Sequence, residues 1–132
     1  TYTCTATGGG GTNTQSITVK RDSIAPTTST PSLSGGINLT PLGLGYLFIG
    51  TNTTTLNVNL ADNLSGIASA EYYIDTDPDQ GQGTPLPLSG GTATATISLT
   101  GLNGRHTLHV RAVDVAGNWS LTKSASFNRI GL

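Results

Sequence analysis

The strongest constraint on the fold is an unbroken alternation late in the chain. His106, Leu108, Val110 and Ala112 fall on one side, and Thr107, His109, Arg111 and Val113 on the other. A period of two is the mark of a half-buried antiparallel strand. Leu102-Asn103-Gly104 supplies a turn before it. After it comes Asp114-Val115-Ala116-Gly117-Asn118, where a carboxylate can accept backbone N–H bonds and Gly or Asn tolerates positive φ. Leu121, Ala125 and Phe127 then predict a returning strand. A hairpin of this kind needs a second layer to cover its apolar face, so it reads as the last two strands of an all-β sandwich.

Earlier segments repeat the pattern. Residues 53–60 place Thr54, Leu56, Val58 and Leu60 on one face. Residues 70–75 point Tyr72 and Ile74 inward and Glu71 and Tyr73 outward, and residues 90–99 align Ala93, Ala95, Ile97 and Leu99. Residues 32–38 and 46–49 are weaker strand candidates, and residues 61–67 form a turn. The total from residue 25 onward is about seven strands, the number of an immunoglobulin-like antiparallel sandwich. The 132 residues suffice for one such sandwich plus an extension.

Charge narrows the partners. Only 10% of residues are charged and the net charge is −1, so the basic face that phosphate binding requires is missing and nucleic acid is excluded. No apolar run approaches the roughly 20 residues of a membrane span. The first residues lack the basic and apolar regions of a secretion signal, which implies a removed leader or a segment of something longer. The one cysteine, Cys4, has no internal disulfide partner and reads as a small buried hydrophobe or the partner of a thiol outside the chain.

Three short motifs carry a family resemblance. Asp114, Ala116, Gly117 and Asn118 fit Asp-x-Ala-Gly-Asn; Asp62, Ser65, Gly66 and Ile67 fit Thr-Asp-x-x-Ser-Gly-Ile/Val apart from its first residue; Asp22, Ala25, Pro26 and Thr28 fit Asp-x-x-Ala-Pro-x-Thr. Together they resemble the bacterial immunoglobulin-like (Ig-like or fibronectin-III-like) repeat domains of secreted and cell-surface proteins. The resemblance implies an extracellular or cell-surface location and a non-catalytic role as spacer and assembly unit of a surface protein or filament. Its partners would be neighbouring Ig-like domains, or identical subunits head to tail. The alternative is a carbohydrate-binding or spacer module attached to an extracellular hydrolase, with glycans as partners.

The N-terminus repeats the closing hairpin. Residues 2–12 lie over residues 108–118, with Cys4 on Val110, Ala6 on Ala112 and Gly11 on Gly117. Past the turn, residues 17–21 lie over residues 125–129 after a small register shift, so that Arg21 meets Arg129. Residues 1–24 are therefore expected to be the closing hairpin and linker of a preceding repeat, and residues 25–132 the sandwich domain.

Candidate chemistry is sparse. Asp75, Asp77 and Asp79 alternate in a Pro- and Gly-containing stretch, a pattern that offers hard oxygens to Ca²⁺. No bidentate Glu follows and the glycine is one place late, which rules out an EF-hand; a solvated connection is the competing reading. Trp119 could stack on a sugar ring or simply cover the end of the core. His106 and His109 are three apart on a strand and so face opposite sides, which prevents joint metal binding. His106 stands where relatives often carry a corner Tyr, which implies a structural role. No nucleophile elbow, phosphate loop or paired glycosidase carboxylates occur, so no catalytic residue is expected. Asp62, Gly66, Asp114, Gly117 and Asn118 are expected to serve turn geometry.

Overall fold

The computed structural model describes residues 2–8, 11–17, 22–62 and 64–131. Strands β1 (Tyr2–Gly8) and β2 (Gly11–Ile17) pair antiparallel as a hairpin, with Tyr2 opposite Ile17. Gly8 pairs with Gly11 at the last described position of that ladder. The remaining strands are β3 (Thr27–Thr28), β4 (Ser32–Leu33), β5 (Ile37–Asn38), β6 (Tyr46–Ile49), β7 (Thr53–Ala61) and β8 (Ile67–Ile74). They continue with β9 (Thr84–Leu86), β10 (Leu88–Ser89), β11 (Thr92–Ser98), β12 (Gly104–Asp114) and β13 (Lys123–Ile130).

Two sheets make the sandwich. One runs β10-β11-β7-β3, with β4 also on β7; the other runs β5-β6-β13-β12-β8-β9. Among the described residues, all pairings are antiparallel except β6 with β13. Eleven strands replace the expected seven or so because edge strands are broken into short pieces. Prolines cause the breaks: Pro26 and Pro31 flank β3 and β4, and Pro87 divides β9 from β10 as the chain crosses between sheets. A residue without an N–H cannot continue a ladder.

The predicted inward residues form the core. Leu56, Val58, Ala93, Ile97 and Leu99 from one sheet meet Phe48, Leu108, Val110, Ala112 and Phe127 from the other, each at most 2% exposed. Phe48 and Phe127 meet edge to face at 5.9 Å. Burying each large apolar side chain stabilises by about 1.5–3 kcal/mol. Leu121 is the exception: it is 79% exposed and precedes β13. The turn is wider than expected, because the Ser120 hydroxyl accepts the Ala112 N–H at 2.9 Å and Trp119 bridges to Val113, which delays the returning strand.

The strand directions separate the chain ends. The segment after Asp22, the β7–β8 turn and the β12–β13 turn share one end, the leading end; β13 carries the chain to Ile130 at the other, the trailing end. β12 spans its 11 residues between them, so the two ends stand about 30 Å or more apart.

Candidate functional site

The three motifs singled out along the sequence meet at the leading end. Gly66 (φ 86°) and Gly117 (φ 95°) take left-handed conformations that close their turns. Asp62 Oδ2 accepts the Gly66 N–H at 2.6 Å, and Asp114 Oδ1 accepts the Asn118 N–H at 2.8 Å. Those are the expected turn bonds. The connections between the motifs are not visible in sequence. Asp22 Oδ2 accepts the Ser65 hydroxyl and N–H at 2.5 and 3.1 Å, and its Oδ1 accepts the Ile24 N–H at 3.0 Å. The Asn118 amide donates both to Asp114 Oδ2 and to the Asp22 carbonyl, at 2.9 Å each.

The incoming chain is thus fastened to both turns, by contacts 43 and 96 residues apart in sequence. The Ser65 hydroxyl, then the Ile24 N–H, hold the Asp22 carboxyl below the usual aspartate range. Carboxylate oxygens of Asp22, Asp62 and Asp114 lie within 4.8 Å of one another. Asp114 is 1% exposed and Asp22 9%. No described Lys or Arg forms an ion pair with any of the three. Asp62 Oδ1 is buried and accepts no hydrogen bond.

The Asp75, Asp77 and Asp79 carboxylates do not converge: the one described group of three or more acidic or metal-ligating side chains close enough to hold an ion is the Asp22 cluster. Asp75 adopts φ 65°, and its two oxygens take the His106 ring at 2.6 Å and the Thr107 N–H at 2.9 Å. The other His106 nitrogen faces the Asn103 carbonyl at 3.0 Å, so both nitrogens meet acceptors. The Asp75 bond first, with Asn103 adding to it, raises the imidazole pKa against the effect of burial, and the same pair lowers that of Asp75.

Asp77 pairs with Arg111 at 3.0 Å and also accepts the Asp79 N–H. The loop of residues 75–83 folds back over the outer sheet face and buries Glu71, expected on the surface, to 5% exposure. Arg111 Nε reaches Glu71 Oε1 at 2.6 Å, and the Gly81 and Gly83 N–H groups close on its two oxygens at 3.1 Å. A Cβ on Gly83 would stand 3.0 Å from Glu71 Cδ and 2.9 Å from the Tyr72 carbonyl, so glycine is required there. The acidic loop is compensated by Arg111, a cation of the chain itself, and Asp75 is bonded to the His106 ring. That donor set does not fit Ca²⁺.

Trp119 is half-buried beside this ion pair. The Arg111 guanidinium lies 5.7 Å from its ring centroid and 5.0 Å from that of Tyr73, while Tyr73 stacks on His109 at 4.7 Å and 17°. The Trp119 ring that would stack on a sugar thus has the Arg111 guanidinium within cation–π distance. The alternation of His109, Arg111 and Tyr73 on the outer face was readable; the covering loop was not.

No family model matches the chain, and no curated protein matches it. Among solved structures, it resembles fibronectin(III)-like modules of CbhA from Clostridium thermocellum, at 14% identity and TM-score 0.51, over 90% of this chain and 53% of that one. A second, looser likeness is to the SrpA adhesin R347E mutant from Streptococcus sanguinis, at 15% identity and TM-score 0.41, over 78% and 56%. The chain therefore spans about half the length of either structure. At these identities the first likeness establishes the fold: an Ig-like, fibronectin(III)-like β-sandwich.

Proposed function

We propose that the chain is a non-catalytic structural and adhesive module of an extracellular bacterial surface protein or filament, acting as spacer and assembly unit. The observation that carries this reading is the Asp22 clamp. A chain fastened at its point of arrival, and leaving from the opposite end, sets the direction of whatever precedes it relative to whatever follows. Residues 1–24 then serve as the closing hairpin of the preceding repeat, which supplies the layer a two-stranded hairpin lacks. The test is small-angle scattering of two copies joined in tandem. The expected maximum dimension is close to twice that of one copy, and the distance distribution broadens in Asp22→Ala. Two copies folded side by side, with little gain in length, overturn the reading.

Carbohydrate binding through Trp119 is the runner-up and is weakened by the ring's engagement with Arg111. Glycan-array binding that disappears in Trp119→Ala would favour it. Ca²⁺ has support at Asp22, Asp62 and Asp114 rather than in the 75–83 loop, from the unpartnered Asp62 Oδ1. A melting temperature raised by Ca²⁺ in the wild type but not in Asp62→Asn supports that role, and equal melting with Ca²⁺ and with chelator sinks it.

A further inference from the structure

We propose that Asn103 is a self-modification site: its side-chain amide converts to a carboxylate, and the product completes an ion pair with Arg129. The chain buries two arginines in unlike company. Arg111, 3% exposed, has the carboxylates of Glu71 and Asp77. Arg129, 7% exposed, forms no ion pair among the described residues. Its Nε donates to the Thr51 carbonyl at 2.8 Å, Nη1 to Asn103 Oδ1 at 2.7 Å and Nη2 to Asn52 Oδ1 at 2.9 Å. Three neutral oxygens satisfy these donors but leave the charge uncompensated, and a buried charge in that state costs stability.

One of those oxygens belongs to a side chain that can become an anion unaided. Asn103 precedes Gly104, and this is the only Asn-Gly pair in the sequence. With no Cβ on Gly104, the approach of its backbone nitrogen to Asn103 Cγ is unhindered. Asn103 is exposed and lies in the turn before β12, where Gly104 takes φ 89°. Gly104 stands opposite Arg129 in the terminal pair of the β12–β13 ladder, so fraying of one pair frees its N–H without global unfolding. The Gly104 nitrogen attacks Asn103 Cγ, the bond from Cγ to the amide nitrogen breaks, and ammonia leaves with the proton that Gly104 loses. Water then opens the five-membered imide. Entering at Cγ, it breaks the new C–N bond and restores the normal backbone with a side-chain carboxylate. Entering at the backbone carbonyl carbon, it leaves the main chain running through the side chain, the isoaspartyl form.

Ring closure and ring opening at Cγ both build negative charge on Oδ1, the atom that Arg129 Nη1 meets at 2.7 Å. A charged donor aimed at that oxygen stabilises the charge as it develops. It promotes closure and draws the water back to Cγ, so the aspartate form predominates. The Asn103 backbone carbonyl has the weaker partner, the His106 ring at 3.0 Å. Gly131 makes room for the contact: a Cβ there would stand 2.6 Å from Asn103 Oδ1 and 3.2 Å from Arg129 Nη1. The carboxylate thus forms on the guanidinium itself, where an ion pair replaces a bond to a neutral amide.

The test follows the intact mass and the peptide map of the full chain during incubation in mildly alkaline buffer below its melting temperature. The mass gain of amide-to-acid conversion should accumulate at Asn103, faster at higher pH because the attacking nitrogen must lose its proton. Asn103→Gln, whose longer side chain requires a slower six-membered closure, should show no such gain. Enzymatic methylation of isoaspartyl groups should find the aspartate form in excess in the folded chain and the isoaspartyl form in excess after conversion in urea. Asn103→Asp should melt above the wild type, and the difference should vanish once the pH is low enough to protonate the new carboxyl. A folded chain that gains no mass at Asn103, or a gain that persists in Asn103→Gln, overturns the site. An isoaspartyl excess in the folded chain, or Asn103→Asp melting at or below the wild type, overturns the role of Arg129.

Discussion

The chain holds two groups of three aspartates, and they behave in opposite ways. Asp75, Asp77 and Asp79 alternate in sequence and diverge in space: Asp75 takes the His106 ring and the Thr107 N–H, Asp77 takes Arg111, and the Asp79 side chain is exposed. Asp22, Asp62 and Asp114 are 40 and 52 residues apart in sequence and share one small volume. The first group has a cation of its own in Arg111 and a ring donor in His106; the second has only N–H and O–H donors. Carboxylate spacing is therefore a poor guide to a metal centre unless the counter-charges are known. A strand-end loop in a sandwich can fold onto the outer sheet face, where an arginine neutralises it before any ion does.

The largest expected effect breaks the compensated side. Arg111→Met leaves Glu71 buried without its cation and should cost about 3–5 kcal/mol in denaturant unfolding. Adding Glu71→Gln should recover part of that loss; a single-variant loss below about 1 kcal/mol would mean that the loop does not bury the pair. On the uncompensated side, Asp114→Ala removes two charge-assisted bonds and frees the Asn118 amide, at about 2–3 kcal/mol. Amide exchange should also accelerate around Ile24 and Ser65, residues that Asp114 does not itself bond. Protection unchanged there would separate the turn from the clamp.

A smaller effect depends on pH. Because the folded His106 pKa lies above its ordinary value near 6.5, the stability it contributes is present below that value and fades as pH rises through the raised one. The lowered Asp75 pKa gives stability present above about 3.8 and lost as pH falls through its folded value. Melting temperature should therefore decline on both sides of the interval between the two folded pKa values. His106→Gln should flatten the alkaline decline, and an unchanged alkaline limb would show that the imidazole is not held charged. Asp79→Asn should be nearly silent, within about 0.5 kcal/mol, because the side chain is exposed and Asn tolerates its φ of 79°.

The fold was legible because its signal is local. Alternation in β7, β8, β11 and β12 needs no partner to be read, and Leu56, Val58, Ile97, Leu108 and Val110 are buried as their period requires. Strand number was less legible, since Pro26, Pro31 and Pro87 divide edges in ways that depend on which sheet each fragment joins. Turn roles for Asp62, Gly66, Asp114, Gly117 and Asn118 could be inferred from spacing, as their bonds span at most four residues. The clamp could not, because the Asn118-to-Asp22 bond depends on two ends of the sequence arriving at one end of the sandwich. The available signal was that all three motifs carry an aspartate. Glu71 was misplaced for a similar reason: alternation gives the direction of a side chain but says nothing about a loop that later covers it.

The arrangement of β13 has a consequence for pulling. Tension between Asp22 and Ile130 acts along the strands, because the two lie at opposite ends of the sandwich. β13 is held on one side by β12 over seven paired positions and on the other by the parallel strand β6 over four. Both ladders are therefore loaded in shear, with their hydrogen bonds sharing the force at once instead of opening in turn as a zipper would. At the other end the first resistance is Asp22 itself, whose bonds to Ser65 and Asn118 must rupture before tension reaches β3. The module would extend little and yield abruptly, as a rope tied off at both ends does when the knots fail before the fibres.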